Sequence, residues 1–256
     1  MKTTYYAIAI AAALAAGCAQ TPPPRAEGAQ GAAAAEGHVR YTRVVDYAYV
    51  KKHAALPRDE KAALIVDSRP AARRYDIGHI PGAINIPDSQ FDKLAPTLLP
   101  ADKNVEIIFY CQGPTCDLSA KSAYKAEKLG YANVKVYEGG VPDWEAHGEP
   151  LSVSTAFMQK VVADKADIVL IDSRPAQRVQ REGTIPGAIN ISDTNFDKEV
   201  EKLPQDKMKD IIFFCQGLSS DLSGKSAKKA MALGYKNVRT YAAGYSAWKA
   251  AVEGKQ

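Results

Sequence analysis

The chain has 256 residues, of which 46% are hydrophobic and 24% charged, the composition of an ordinary globular protein rather than of a disordered one. Its formal net charge is +4 and no basic block stands out, which speaks against nucleic acid as a partner. No His and Cys residues stand at zinc-binding spacing, so neither a metal nor another cofactor is expected.

At the N-terminus, Met1-Lys2 carries a positive charge and Tyr5 to Ala16 is apolar. The run falls short of the about 20 apolar residues that a spanning helix needs, and it reads as an export signal over residues 1–17. Leu14-Ala15-Ala16-Gly17-Cys18 resembles the lipobox of bacterial lipoproteins, with its leucine one position early. The resemblance implies acylation of Cys18, an anchor in a lipid membrane and a periplasmic location. Ordinary cleavage after a small residue is the alternative. Residues 18–38, with Thr21-Pro22-Pro23-Pro24-Arg25 followed by Ala, Gly, Gln and Glu, have no apolar period. Such a segment cannot build a core and reads as a flexible tether of roughly 25 Å.

From residue 39 onward, short apolar runs alternate with helical segments. Ala63–Val66, Ile107–Tyr110 and Val134–Tyr137 are predicted strands. Ser119–Leu129 is a predicted helix ended by Gly130, since glycine accepts the left-handed conformation that closes helices. A further helix begins at Asp143 and is broken by Gly148 and Pro150. The second half repeats the order, with strands at Ile168–Ile171, Ile211–Phe214 and Val238–Tyr241, a helix at Leu222–Leu233 and another around Trp248. Near-continuous hydrophobicity within the strands suits a parallel sheet covered on both faces. The expected class is α/β, with two tandem domains (39–150 and 151–256), each a small, mostly parallel sheet flanked by helices.

The halves repeat in detail. Leu64-Ile65-Val66-Asp67-Ser68-Arg69-Pro70 returns as Leu170-Ile171-Asp172-Ser173-Arg174-Pro175, and Ile80-Pro81-Gly82-Ala83 as Ile185-Pro186-Gly187-Ala188. Phe109-Tyr110-Cys111-Gln112-Gly113 returns as Phe213-Phe214-Cys215-Gln216-Gly217, each followed by Asp-Leu-Ser-x-Lys-Ser-Ala. A period of about 105 residues is the length of a whole small domain, not of a solenoid unit.

Cys111 and Cys215 thus end buried strands and face helix N-termini, where backbone N–H groups and the helix dipole stabilise a thiolate. In open α/β sheets this edge is where ligands bind. With Cys18 acylated, Cys111, Cys116 and Cys215 remain, an odd number that leaves at least one free thiol or an intermolecular bond.

Asp67/Arg69 after a strand, Gly78-His79-Ile80-Pro81-Gly82-Ala83, the strand-end Cys111 loop and Gly139-Gly140 before Trp144, with Asp172/Arg174, Gly183-Thr184-Ile185-Pro186-Gly187-Ala188, Cys215 and Ala243-Gly244 before Trp248, together resemble the pattern of rhodanese domains. The resemblance covers roughly residues 39–252. It implies a sulfurtransferase in which Cys111, Cys215 or both take a sulfane sulfur from a small donor as a persulfide and pass it to a thiophilic acceptor. Gln112, Gly113, Pro114, Thr115 and Cys116, and Gln216, Gly217, Leu218, Ser219 and Ser220, would form the loops that hold that sulfur. Asp67, Arg69, Asp172 and Arg174 would tie the loops by hydrogen bonds.

The chain also departs from the pattern. Neither cysteine loop contains a basic residue, so thiosulfate as donor is in question; Lys121 and Lys225 lie one turn further along. Asp117 and Asp221 stand where a cysteine phosphatase needs arginine. Cys116, five residues after Cys111, either resolves an oxidised Cys111 as a disulfide or is a small residue at a helix start; Ser220 replaces it in the second copy. His79 has Thr184 as its counterpart, which argues against a shared chemical role. Trp144 and Trp248 read as packing residues, and Tyr110 and Phe214 as core. If one domain alone works, the fuller motifs favour Cys111. Two other functions stay open: a non-catalytic binding or scaffold protein, and a thiol-redox protein using Cys111 and Cys116 with a thiol-reducing partner protein.

Overall fold

In the computed structural model, which describes residues 38–254, the first repeat runs α1 (Tyr47–Ala54), β1 (Leu64–Asp67), β2 (Ile84–Asn85), α2 (Phe91–Leu98), β3 (Ile107–Tyr110), α3 (Leu118–Lys128), β4 (Val134–Tyr137) and α4 (Gly140–Ala146). The second runs β5 (Leu151–Ser152), α5 (Thr155–Ala163), β6 (Val169–Asp172), α6 (Ala176–Glu182), β7 (Ile189–Asn190), β8 (Ile211–Phe214), α7 (Leu222–Ala232), β9 (Val238–Tyr241) and α8 (Gly244–Glu253). Their sheets have the orders β2-β1-β3-β4 and β5-β9-β8-β6-β7, and all these pairings are parallel. The segment expected to be an export signal, and Cys18 with its expected acylation, lie outside the described residues. Among the described residues, no helix is long and apolar enough to cross a membrane.

The strands are apolar on both faces because both faces are covered. Val66, Ile107 and Phe109 join Ala120, Ala123 and Ala126 of α3 in one core cluster. Ile65, Ile108 and Tyr110 point the other way, to Val50 of α1 and Trp144 of α4. The second sheet is sandwiched alike, with Phe213 against Ala227 and Ala230 on one side and Phe214 against Trp248 on the other. The small residues facing the sheet from α3 and α7 let helix and strand approach closely.

α4 begins at Gly140, three residues earlier than its polar Asp143 suggests. Gly140 has φ +60°, and a Cβ there would fall on the Cys111 carbonyl oxygen. Only glycine fits, and the start of the helix is thereby pressed against the cysteine loop. Gly244 does the same for α8, with φ +65° and a Cβ position 2.5 Å from the Gly217 nitrogen.

The repeats are joined by backbone and by charge. His79 and Ser152 exchange N–H···O bonds of 2.8 Å, bridging the first repeat to β5. Glu149, buried at 6% exposure, accepts from Tyr47 Oη (2.9 Å) and Lys51 Nζ (2.6 Å) of the first repeat and from Lys228 Nζ (2.8 Å) of the second. Burial opposes its ionisation, but the bonds from Lys228, Lys51 and Tyr47 outweigh it and hold its carboxyl below the usual range.

Candidate active site

Cys111 and Cys215 directly follow β3 and β8, at the C-terminal edges of the two sheets. Both are buried. The loop after each is turned by a glycine at positive φ, +142° at Gly113 and +145° at Gly217, and closed by a backbone bond from residue 116 or 220 to that glycine's carbonyl (2.9 and 3.0 Å). The Cys215 thiol donates to the Ser220 carbonyl oxygen (3.5 Å), and Ser223 Oγ lies 3.3 Å from the sulfur. Cys111 Sγ has the equivalent neighbours, the Cys116 carbonyl at 3.1 Å and Ser119 Oγ at 3.3 Å. These serines are the third residue of the repeated Asp-Leu-Ser. Read as a helix start, that phrase also carries a hydroxyl onto each sulfur.

The two sulfurs differ in chemical state. Cys111 is joined to Cys116 by a disulfide, whereas Cys215 is a free thiol. If one domain alone works, the fuller motifs favour Cys111; in this structure the free thiol is Cys215.

Asp67 and Arg69, and their counterparts, meet the cysteine loops. The buried Arg69 guanidinium donates to Asp67 (Nη2 to Oδ2, 2.6 Å), to the Gly78 carbonyl (2.7 Å) and to Gln112 Oε1 (3.2 Å). Arg174 donates to Asp172 (2.7 Å), the Gly183 carbonyl (2.7 Å) and Gln216 Oε1 (3.4 Å). Each arginine therefore staples the loop between β1 and β2, or β6 and β7, to the glutamine after the cysteine.

The aspartates need one more donor, and the copies supply it differently. Asp67 accepts from Tyr110 Oη (2.8 Å). Phe214 has no hydroxyl, and Asp172 accepts instead from Thr184 Oγ1 (2.6 Å). In the first copy His79 holds Thr184's sequence position, bonds the Tyr75 carbonyl through Nδ1 (2.8 Å) and stacks on the Tyr75 ring. Burial lowers its pKa to about 4, so it is neutral near pH 7. Tyr110 is core, as expected, and also a ligand of the Asp67 carboxylate.

Beside Cys215 the repeats enclose a cleft of about 260 Å³. Leu56 and Trp144 of the first repeat face Asp221, Ser223 and Lys225 of the second. Ser223 both touches Cys215 and lines this space. Lys51 and Lys228 also reach it, each tied to Glu149. Lys225 is the lysine of this cleft with no ion pair among the described residues, while Lys121, its counterpart by Cys111, is held by Asp117 at 2.7 Å. Burial raises the pKa of Asp221, against the pull of Lys51, Lys225 and Lys228. Among the described residues no cluster of His, Cys, Asp and Glu could hold a metal ion.

The family model for the rhodanese-like domain matches residues 50–147 and 157–251. The chain is 25% identical over 240 residues to the 3-mercaptopyruvate sulfurtransferase of Escherichia coli, covering 72% of this chain and 85% of that protein. It is 25% identical over 248 residues to the thiosulfate sulfurtransferase of Pseudomonas aeruginosa, covering 75% and 90%. A shorter match, 36% identical over 95 residues, is to an HTH-type transcriptional regulator of Mycobacterium tuberculosis, of whose length the chain spans 39%. With the family model matched in both repeats, on parallel α/β sheets that each end in a cysteine loop, the chain belongs to the rhodanese-like domain family and carries two such domains in tandem.

Proposed function

We propose that the protein is a sulfurtransferase that moves sulfane sulfur from a small anionic donor to a thiophilic acceptor through a persulfide on Cys215. The observation that carries this reading is the free thiol of Cys215, buried at the end of β8 with Ser223 linking it to a cleft lined by Lys225. The Cys215 thiolate attacks the outer sulfur of the donor, the donor's own S–S or C–S bond breaks, and the donor leaves with the electron pair. The acceptor's thiolate then takes the outer sulfur and restores Cys215. Gly217 lets the loop turn round the added atom, and the loop N–H groups at the start of α7 favour the anionic persulfide. The similarity to 3-mercaptopyruvate and thiosulfate sulfurtransferases supports the reaction class.

Intact-mass analysis after exposure to thiosulfate, mercaptopyruvate or polysulfide tests this. The expected result is the gain of one sulfur atom, lost in Cys215→Ser. A chain that gains no sulfur from any of these donors, with its thiols reduced, is a binding or scaffold protein instead. The disulfide between Cys111 and Cys116 favours a second reading at the first domain, thiol redox chemistry.

We further propose that the protein is exported and held at a membrane through acylated Cys18, on the strength of the apolar run, the lipobox-like Leu14–Cys18 and the Pro-rich tether. Detergent partitioning of the mature protein tests it; recovery wholly in the aqueous phase refutes the anchor.

A further inference from the structure

The two cysteine loops share one backbone design and differ at one decisive atom. Residue 116 or 220 bonds back to the loop glycine and places its carbonyl beside the nucleophile's sulfur in both copies. In the first copy that residue is Cys116, whose side chain is bonded to Cys111 across a Cα–Cα distance of 6.3 Å, a span that disulfides bridge without moving the backbone. In the second copy it is Ser220, whose oxygen cannot make that bond. The surroundings differ too. Leu218 of the second loop accepts a backbone bond of 2.9 Å from Arg58 of the first domain, whereas Gln112, Pro114 and Thr115 of the first loop are exposed.

We propose that Cys116 is a resolving cysteine: it attacks the inner sulfur of a persulfide on Cys111, expels the outer sulfur as hydrosulfide and leaves the Cys111–Cys116 disulfide found in the structure. This rests on persulfide chemistry at the cysteine loops, as proposed above for Cys215. In the step, the bond between Cys111 Sγ and the outer sulfur breaks and the bond between Cys111 Sγ and Cys116 Sγ forms. The outer sulfur departs with the electron pair, and the Cys116 proton ends on hydrosulfide. The sulfane sulfur is reduced to sulfide, and the two thiol sulfurs are oxidised to the disulfide. A dithiol, small or protein-borne, then attacks the partly exposed Cys116, becomes a disulfide itself and returns both cysteines to thiols. The first domain thus discharges sulfur as sulfide at the cost of a dithiol, while the second, with Ser220, keeps its persulfide for transfer.

The test uses the full chain, reduced and freed of reductant, in the Cys18→Ser and Cys215→Ser background, so that Cys111 and Cys116 are the thiols that remain, with the site of any added sulfur read by peptide mapping. Loaded with polysulfide, mercaptopyruvate or thiosulfate, this protein is expected to release one equivalent of hydrosulfide per chain. It should end two hydrogens lighter, with Cys111 and Cys116 in one disulfide-linked peptide. With Cys116→Ser added, hydrosulfide release should be lost and the chain should instead retain one extra sulfur on Cys111. Equal hydrosulfide release with and without Cys116, or a persulfide that stays on Cys111 with Cys116 present and reduced, overturns the proposal. Absence of sulfur from Cys111 in the double variant, while Cys215 of the unaltered chain loads normally, overturns it and leaves transfer at Cys215 standing. Failure of Cys215 to load as well is the separate result that defeats the transfer reading.

Discussion

Arg58 of the first domain donates its backbone N–H to the Leu218 carbonyl, 2.9 Å away in the cysteine loop of the second. The segment around Arg58 is thus a strap across the Cys215 loop. It is itself pinned by the Arg58 guanidinium, which donates to the carbonyls of Gly82 (2.7 Å) and Ala63 (3.3 Å). Arg58→Ala removes those pins and leaves two carbonyls to find other donors. The expected stability loss is about 1–3 kcal/mol, read by chemical denaturation. Alkylation of the buried Cys215 should also quicken, because the strap loosens first. An unchanged alkylation rate in a destabilised variant would show that the strap does not gate this loop.

Asp221 places a carboxylate in the same cleft as Lys225, where it would repel the anionic donor proposed for Cys215. Asp221→Asn should raise the second-order rate of Cys215 loading by thiosulfate or mercaptopyruvate about three- to tenfold, the effect of roughly 1 kcal/mol at close range. Lys225→Ala should lower it by a similar factor, and both effects should shrink at high salt. If the rate is indifferent to both changes, the donor approaches Cys215 from elsewhere.

Much of this frame was legible in the chain. The strands β3, β4, β8 and β9 fall on the predicted residues: β3 and β8 are four-residue apolar runs, and β4 and β9 are short segments rich in Val, Thr and Tyr, residues that favour strands. The two-residue strands β2, β5 and β7 were not legible, since two residues carry no period and their pairing is set by their neighbours. Nor was α1, whose Lys51, Lys52 and His53 mask a stripe of only two buried residues, Val50 and Ala54. At the site, the repeated phrase marked both cysteines, but it could not show that Leu56 and Trp144 would wall the second of them, because that contact joins residues far apart in the chain.

His79 links stability to pH. Its folded pKa of about 4 lies below the ordinary 6.5, chiefly through burial. Between those values the unfolded chain binds the proton and the folded chain does not, so stability falls as pH drops from about 6.5 and the loss saturates below about 4. Its size is about 3 kcal/mol. Denaturation midpoints at pH 7 and pH 4.5 should therefore separate less in His79→Gln than in the unaltered protein. Parallel shifts in the two would mean that His79 accepts a proton without disturbing the fold.

The Asp172 carboxylate offers the sharpest test of how the two copies diverged. Thr184→Ala deletes the hydroxyl that donates to Asp172 Oδ2 and leaves a fully buried carboxylate one donor short, a loss of about 1–3 kcal/mol. Phe214 stands where Tyr110 supplies that donor in the first domain. Phe214→Tyr in the Thr184→Ala background should therefore recover most of the loss, whereas Phe214→Tyr alone should give no gain, because Thr184 already satisfies the acceptor. The coupling between the two sites, measured as a double-mutant cycle, is expected to be favourable by about 1 kcal/mol. Because Arg174 ties Asp172 to Gln216, the same cycle should appear in the loading rate of Cys215. A cycle seen in stability but absent from that rate would confine the Asp–Arg pair to holding the fold, with no hand in positioning the cysteine loop.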